Sequence, residues 1–263
     1  MFFAFDPYNI LWTFIVSFII QALFFAFAAS FKTDKVTDIS YSLGFAVLTL
    51  VILFSNKAFA LPQVLAAVFV VLWAARLGAY LLTRIIITKT DARFDDKRSN
   101  FVNLLGFWVL QALAVWLVLM PVSVLLSLKE IGPLHFVSIL GALIWAIGFA
   151  IEILSDAQKF SFKNKKENAK RWIQSGLWKY SRHPNFFGEV LLWWGVFIFV
   201  LPYLSGALYI TVVGPLSITI LLLFISGIPL LEQSADKKYG NDSAYQEYKK
   251  RTSIFLMLPQ RKG

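Results

Sequence analysis

The chain has 263 residues, of which 58% are hydrophobic, 17% aromatic and only 15% charged. A water-soluble domain of that length has no interior large enough for so much apolar surface, so the composition excludes a simple soluble globule and assigns the remainder to a bilayer. The formal net charge of +10 would suit nucleic acid in a soluble protein, but the positive-inside bias of membrane proteins accounts for it and no nucleic-acid partner is expected. The absence of cysteine excludes disulfides, thiolate metal ligands and a cysteine nucleophile.

Apolar runs long enough to span, against roughly 20 residues needed, are predicted at 8–31, 38–55, 61–87, 101–127, 133–160, 184–204 and 206–231. The first follows Asp6 and Pro7 without a basic leader and is long enough to span, so it reads as a membrane helix rather than a cleavable signal. The second is the shortest. The third carries Trp73, Arg76, Tyr80 and Arg84 at three- and four-residue spacing, hence on one helical face. The fifth aligns Glu152, Asp156, Lys159 and Lys163, and the sixth opens with Asn185, Glu189 and Trp193 on one stripe. The seventh is expected to end at Glu232, leaving 232–263 as a cytoplasmic tail that contributes to a cofactor site.

Charge orients these spans. Lys32 and Lys35, the residues from Arg84 to Arg98, those from Lys159 to Arg182 and the tail all fall on one side, whereas the opposite side holds only Lys57 and Lys129. Of the remaining basic residues only Arg76 lies inside a span. The expectation is therefore an all-α polytopic protein, a single domain of seven transmembrane helices over 1–263, with the N-terminus outside and the C-terminus cytoplasmic.

The densest chemistry lies at Gly176-Leu177-Trp178-Lys179-Tyr180-Ser181-Arg182-His183-Pro184-Asn185-Phe186-Phe187-Gly188-Glu189, at the threshold of the sixth span. Ionisable groups at membrane depth are costly and usually mark a ligand or a reaction centre. His183 is one of two histidines; the other, His135, reads as an interfacial residue. Convergent cations with carboxylates beside them suit a large, multiply charged cytosolic cofactor. Its phosphates would sit against Arg76, Arg84, Lys163, Arg171 or Arg182, and its ribose hydroxyls or an amide against Asp156 or Glu189. A plainer reading pairs Arg76 with Glu152 or Glu189 as structural glue and leaves Lys159, Lys165, Lys166 and Lys170 facing anionic lipid. No G-x-G-x-x-G turn, H-E-x-x-H motif or other metal spacing, or G-x-S-x-G elbow is present.

Beyond these residues, the chain resembles membrane reductases of the steroid 5α-reductase type, particularly bacterial relatives. The likeness is strongest from Ile151 to Pro259. It includes Ser155-Asp156, the Gly176–Glu189 segment with Trp178, the stretch Ser226-Gly227-Ile228-Pro229-Leu230-Leu231-Glu232, and the tail Tyr245-Gln246-Glu247-Tyr248-Lys249-Lys250-Arg251. The R-H-P-N core is shared in related forms by sterol-nucleus reductases and by isoprenylcysteine carboxyl methyltransferases, which bind S-adenosylmethionine. The resemblance implies a seven-helix fold, NADPH bound from the cytosol and reduction of an enone double bond. It carries cofactor contacts onto Asp156, Lys163, Tyr180, Arg182, His183, Asn185, Tyr245 and Arg251, with Trp178, Glu232 and Tyr248 in the same matching stretches.

Glu189 matches an acidic position four residues after the family's asparagine. The family's carbonyl-binding glutamate and tyrosine have no secure counterpart; Asp38 with Tyr41, or Tyr80, are the candidates. The expected activity is therefore NADPH-dependent reduction of the conjugated double bond of a lipophilic steroid-like ketone, by a monomer in a bacterial cytoplasmic membrane. The alternative is an S-adenosylmethionine-dependent membrane methyltransferase of the isoprenylcysteine carboxyl type.

Overall fold

A computed structural model of the chain describes residues 2–31, 36–88, 101–169 and 171–261. The basic residues Lys32, Lys35, Lys89, Arg93, Lys97, Arg98, Lys170 and Lys262, and the side chains of Asp38 and Arg84, lie outside the described residues. The described residues are largely helical and contain no strand; one isolated bridge joins Ser181 and Ser253.

The long helices are α1 (Ile10–Phe31), α2 (Thr37–Ser55), α3 (Leu61–Thr88), α4 (Phe101–Ser127), α5 (Phe136–Lys163) and α6 (Pro184–Val200). The shorter helices α7 (Val213–Ile220), α8 (Ile228–Tyr239) and α9 (Ser243–Arg251) follow. Among the described residues, six helical stretches are long and apolar enough to cross a membrane, and Ile39–Ser55 is a shorter apolar helix. The chain is thus a multi-pass membrane protein by the length and composition of its helices.

Two compact units make up the fold. The first comprises Met1–Ile139 and Val196–Gly214, the second Leu140–Gly195 and Pro215–Gly263. In the first, α1 to α4 pack around a core that includes Phe45, Leu48, Ile52, Trp73, Val115 and Leu119. Buried polar side chains tie these helices at both ends, since no water is present in a bilayer to satisfy them. Near the start of α2, Gln111 Nε2 donates to Thr37 O at 2.8 Å and Ser40 Oγ donates to Gln21 Oε1 at 3.1 Å. At the other end of these helices, Asn9 Nδ2 donates to Ser127 Oγ at 2.8 Å and Gln63 Nε2 to Leu125 O at 3.0 Å.

In the second unit, α5 and α6 meet through glycine. A Cβ at Gly148 would lie 2.6 Å from Leu192 N, and one at Gly188 would lie 2.6 Å from Gly148 O and 2.7 Å from Glu152 N. One at Gly195 would lie 2.5 Å from Trp145 N. Backbones this close are available only where side chains are absent, the packing mode typical of membrane helices. The crossing lays Glu152 beside the first turns of α6.

The last apolar run departs from the single helix expected over 206–231. It begins as a 3₁₀ helix (Gly206–Val212), continues as α7, widens into a π turn (Leu221–Ile225), and bends at Ser226 and Gly227 before α8. The amides of Ser226 and Gly227 both reach back to Leu221 O, at 2.9 and 3.3 Å, the wide ring of a π bulge. A Cβ at Gly227 would fall 2.3 Å from Leu222 O, so only glycine fits the bend. Pro229 follows in the first turn of α8, where a missing N–H costs nothing. Glu232 therefore sits within a separate helix, not at the end of the run.

Candidate functional site

The loop between α5 and α6 is shaped by its own sequence. Gly176 has φ +60° and a Cβ there would collide with Gln158 Oε1 at 2.5 Å. That oxygen accepts the Leu177 amide at 2.9 Å and so anchors the loop to α5. Trp178 is buried: its Nε1 donates to Ser155 O at 3.0 Å, its carbonyl accepts Tyr248 Oη at 2.8 Å, and Lys159 Nζ lies 4.5 Å above its ring. The next residues pair with the segment after α9. Arg182 N donates to Ser253 O at 2.8 Å, Ser181 Oγ to Phe255 O at 2.8 Å, and Leu258 N to Tyr180 O at 3.1 Å.

These bonds present Arg182 and His183 to Glu232 on α8. Arg182 Nη1 forms an ion pair with Glu232 Oε2, and His183 Nε2 lies 2.8 Å from Glu232 Oε1. Lys249 Nζ on α9 stands 3.6 Å from the same carboxylate and 2.6 Å from Asp236 Oδ1. His183 is only 5% exposed. Burial pushes its pKa below the ordinary 6.5, assisted by Lys159 and Arg182 and opposed by the hydrogen bond with Glu232. A neutral imidazole facing a carboxylate carries its proton on Nε2, which leaves Nδ1 as an acceptor.

Among the described residues, Arg182 Nε, His183 Nδ1 and Asn185 Oδ1 are buried without a hydrogen-bond partner. Leaving such atoms unsatisfied costs about 1–3 kcal/mol each, and three fall within four consecutive residues: one cationic donor and two acceptors. That set fits a ligand bearing an anionic group together with hydroxyl or amide hydrogens, as NADPH does, so the residues present are compatible with that cofactor.

The other sequence candidates in the second unit fall into four groups. Asp156 and Glu189 are buried in the second unit, Asp156 on α5 one turn beyond Glu152 and Glu189 on α6. Trp178 and Tyr248 are brought together, but their polar atoms already bond to the protein, so they hold the loop in place. Tyr245 packs edge-on against Trp172 at 5.2 Å, its hydroxyl lies 3.4 Å from Asp236 Oδ1, and its pKa is pushed up by burial and by Glu232 and Asp236. Lys163, Arg171, Tyr180 and Arg251 are exposed, and Arg251 lies 3.6 Å from Glu247.

In the first unit, Tyr41 packs against Phe45 and Trp73, and Arg76 lies 5.6 Å from the Tyr80 ring centroid. Sequence reasoning missed Lys249, Asp236 and Trp172. A lysine and an aspartate within a charged tail carry no local signal; their place comes only from the folding of α8 against α9.

Fold and cluster together define a multi-pass membrane protein with a largely buried cluster of charged and polar side chains in its second unit. The chain belongs to the family described as "Protein of unknown function (DUF1295)", whose model matches residues 24–252. No curated protein and no solved structure matches it.

Proposed function

We propose that the protein is an NADPH-dependent reductase that saturates the carbon–carbon double bond of a conjugated enone in a lipophilic, steroid-like substrate drawn from the bilayer. The observation that carries this reading is the trio Arg182 Nε, His183 Nδ1 and Asn185 Oδ1, buried without protein partners among the described residues and braced by Glu232. The relation of the DUF1295 family to steroid 5α-reductase-like membrane proteins supports it.

NADPH, when bound, supplies the hydride for the β-carbon of the enone. The chain's own residues bind, orient and shield. Arg182 offers a charge-assisted donor to an anionic group, and Asn185 and His183 accept hydrogens from hydroxyls or an amide. Glu232 fixes the imidazole tautomer and neutralises Arg182 in part, and buried Trp178 closes the loop behind them. A hydroxyl or a protonated carboxyl that polarises the ketone would stabilise the enolate oxygen, and a proton at the α-carbon completes the reduction. Orientation in the bacterial cytoplasmic membrane with the tail inside belongs to the same proposal.

Titration calorimetry on the purified protein tests the cofactor. NADPH is expected to bind, and Asn185→Ala to weaken it by roughly 1–3 kcal/mol, the range for a lost buried hydrogen bond. Binding of S-adenosylmethionine with none of NADPH would replace this reading with the methyltransferase one.

A further inference from the structure

After α9 the chain forms a loop tied at its base. Arg261 N donates to Arg251 O at 3.0 Å, Arg251 Nε donates to Arg261 O at 3.3 Å, and Gln260 Nε2 donates to Thr252 Oγ1 at 3.0 Å. Within this closed loop the side chains alternate in exposure. Phe255 turns inward, 5.5 Å from the ring of Phe187 in the first turn of α6. Ile254, Leu256 and Leu258 turn outward, 43%, 51% and 47% exposed, beside the exposed ring of Tyr180. Three large aliphatic side chains in five residues, held outward by a hydrogen-bonded base, form a surface that water does not favour. Lys179, Lys250 and Arg261 are exposed around it.

Depth decides what covers this surface. Phe255 touches the first turn of a helix long and apolar enough to cross a membrane, so the loop stands level with the end of that span. There the neighbouring phase is the interfacial layer of the bilayer, where aliphatic side chains flanked by tyrosine and by basic residues are favoured. We infer that residues 252–260 form a membrane-surface anchor: Ile254, Leu256 and Leu258 enter the interfacial layer, and Lys179, Lys250 and Arg261 meet anionic lipid headgroups. The anchor also tethers the Tyr180–Arg182 segment, through the bonds from Leu258, Ser181 and Arg182, to the membrane plane. The inference stands independently of the reductase proposal.

The cysteine-free chain makes the test direct. Full-length protein carrying Leu256→Cys, labelled with an environment-sensitive fluorophore, is reconstituted in phosphatidylethanolamine–phosphatidylglycerol bilayers, with Glu247→Cys on exposed α9 as the aqueous reference. The label at 256 is expected to be blue-shifted relative to that at 247, quenched by a nitroxide placed near the lipid headgroup and shielded from iodide. Replacing phosphatidylglycerol by phosphatidylcholine is expected to reduce the nitroxide quenching; no change would overturn the role of the basic residues. Equal iodide quenching at 256 and 247 would overturn the anchor, as would shielding of 256 from both quenchers, which indicates a protein contact instead. Leu258→Cys gives an independent reading should Leu256→Cys fail to fold.

Discussion

His183 and Glu232 join the loop before α6 to α8 through one short contact of 2.8 Å, and that contact has a pH signature. The folded-state pKa of His183 lies below its ordinary value, so on acidification the unfolded chain takes up the proton first. Stability is fully present above the unfolded pKa of about 6.5 and is lost as pH falls through the lower folded value. Thermal unfolding is therefore expected to shift downward below about pH 6.5, and His183→Gln to flatten that dependence; an unchanged slope would remove His183 as its source. His183→Gln and Glu232→Gln are also expected to be non-additive, with a coupling of roughly 0.5–3 kcal/mol in a double-mutant cycle.

The sequence marks Arg182, His183 and Asn185 by their density of polar groups beside an apolar run. It does not pair them with Glu232, because the partners lie 49 and 50 residues away and no periodicity links a loop to a later helix. Trp178 and Tyr248 are conspicuous in sequence for the same reason, yet their bonds to backbone carbonyls and to Ser155 give them a structural task that only the coordinates reveal.

At the level of elements, hydrophobic runs forecast the helices well where a run is regular. The run 61–87 becomes Leu61–Thr88, and 101–127 becomes Phe101–Ser127. The run 206–231 lies within Gly206–Tyr239, long and apolar enough to cross a membrane, but its change from 3₁₀ to α to π turns is not legible, because hydropathy cannot separate them; Gly227 before Pro229 is the only local sign of the bend. Glycine likewise sets the α5–α6 crossing. Gly188→Ala would press a methyl against Gly148 O and Glu152 N, both backbone atoms that yield only if the helices part. A loss of roughly 1–3 kcal/mol, the cost of overpacking, is expected in reversible unfolding in detergent micelles. Because the same crossing positions the first turn of α6, which carries Asn185, NADPH affinity should fall as well. A Gly188→Ala protein with unaltered stability would show that the helices are not in backbone contact.

For the whole molecule, the composition already excludes a soluble globule, and the distribution of basic residues predicts an orientation that backbone geometry alone does not. Single cysteines at the exposed positions Ser205 and Ser243 are expected to react with impermeant reagents from opposite faces of the membrane, Ser243→Cys from the cytoplasmic one; labelling of both from the outside would reverse the charge argument. Isotope transfer is the sharpest test of the proposed chemistry. Purified protein is supplied with NADPH deuterated at its transferable position and a 3-oxo-Δ4 steroid, and the product is analysed by mass spectrometry and NMR. One deuterium is expected on the former β-carbon of the enone, with product formation lost in Asn185→Ala. NADPH left unconsumed by such enones, alongside methyl transfer from S-adenosylmethionine to a lipophilic acceptor, would contradict it.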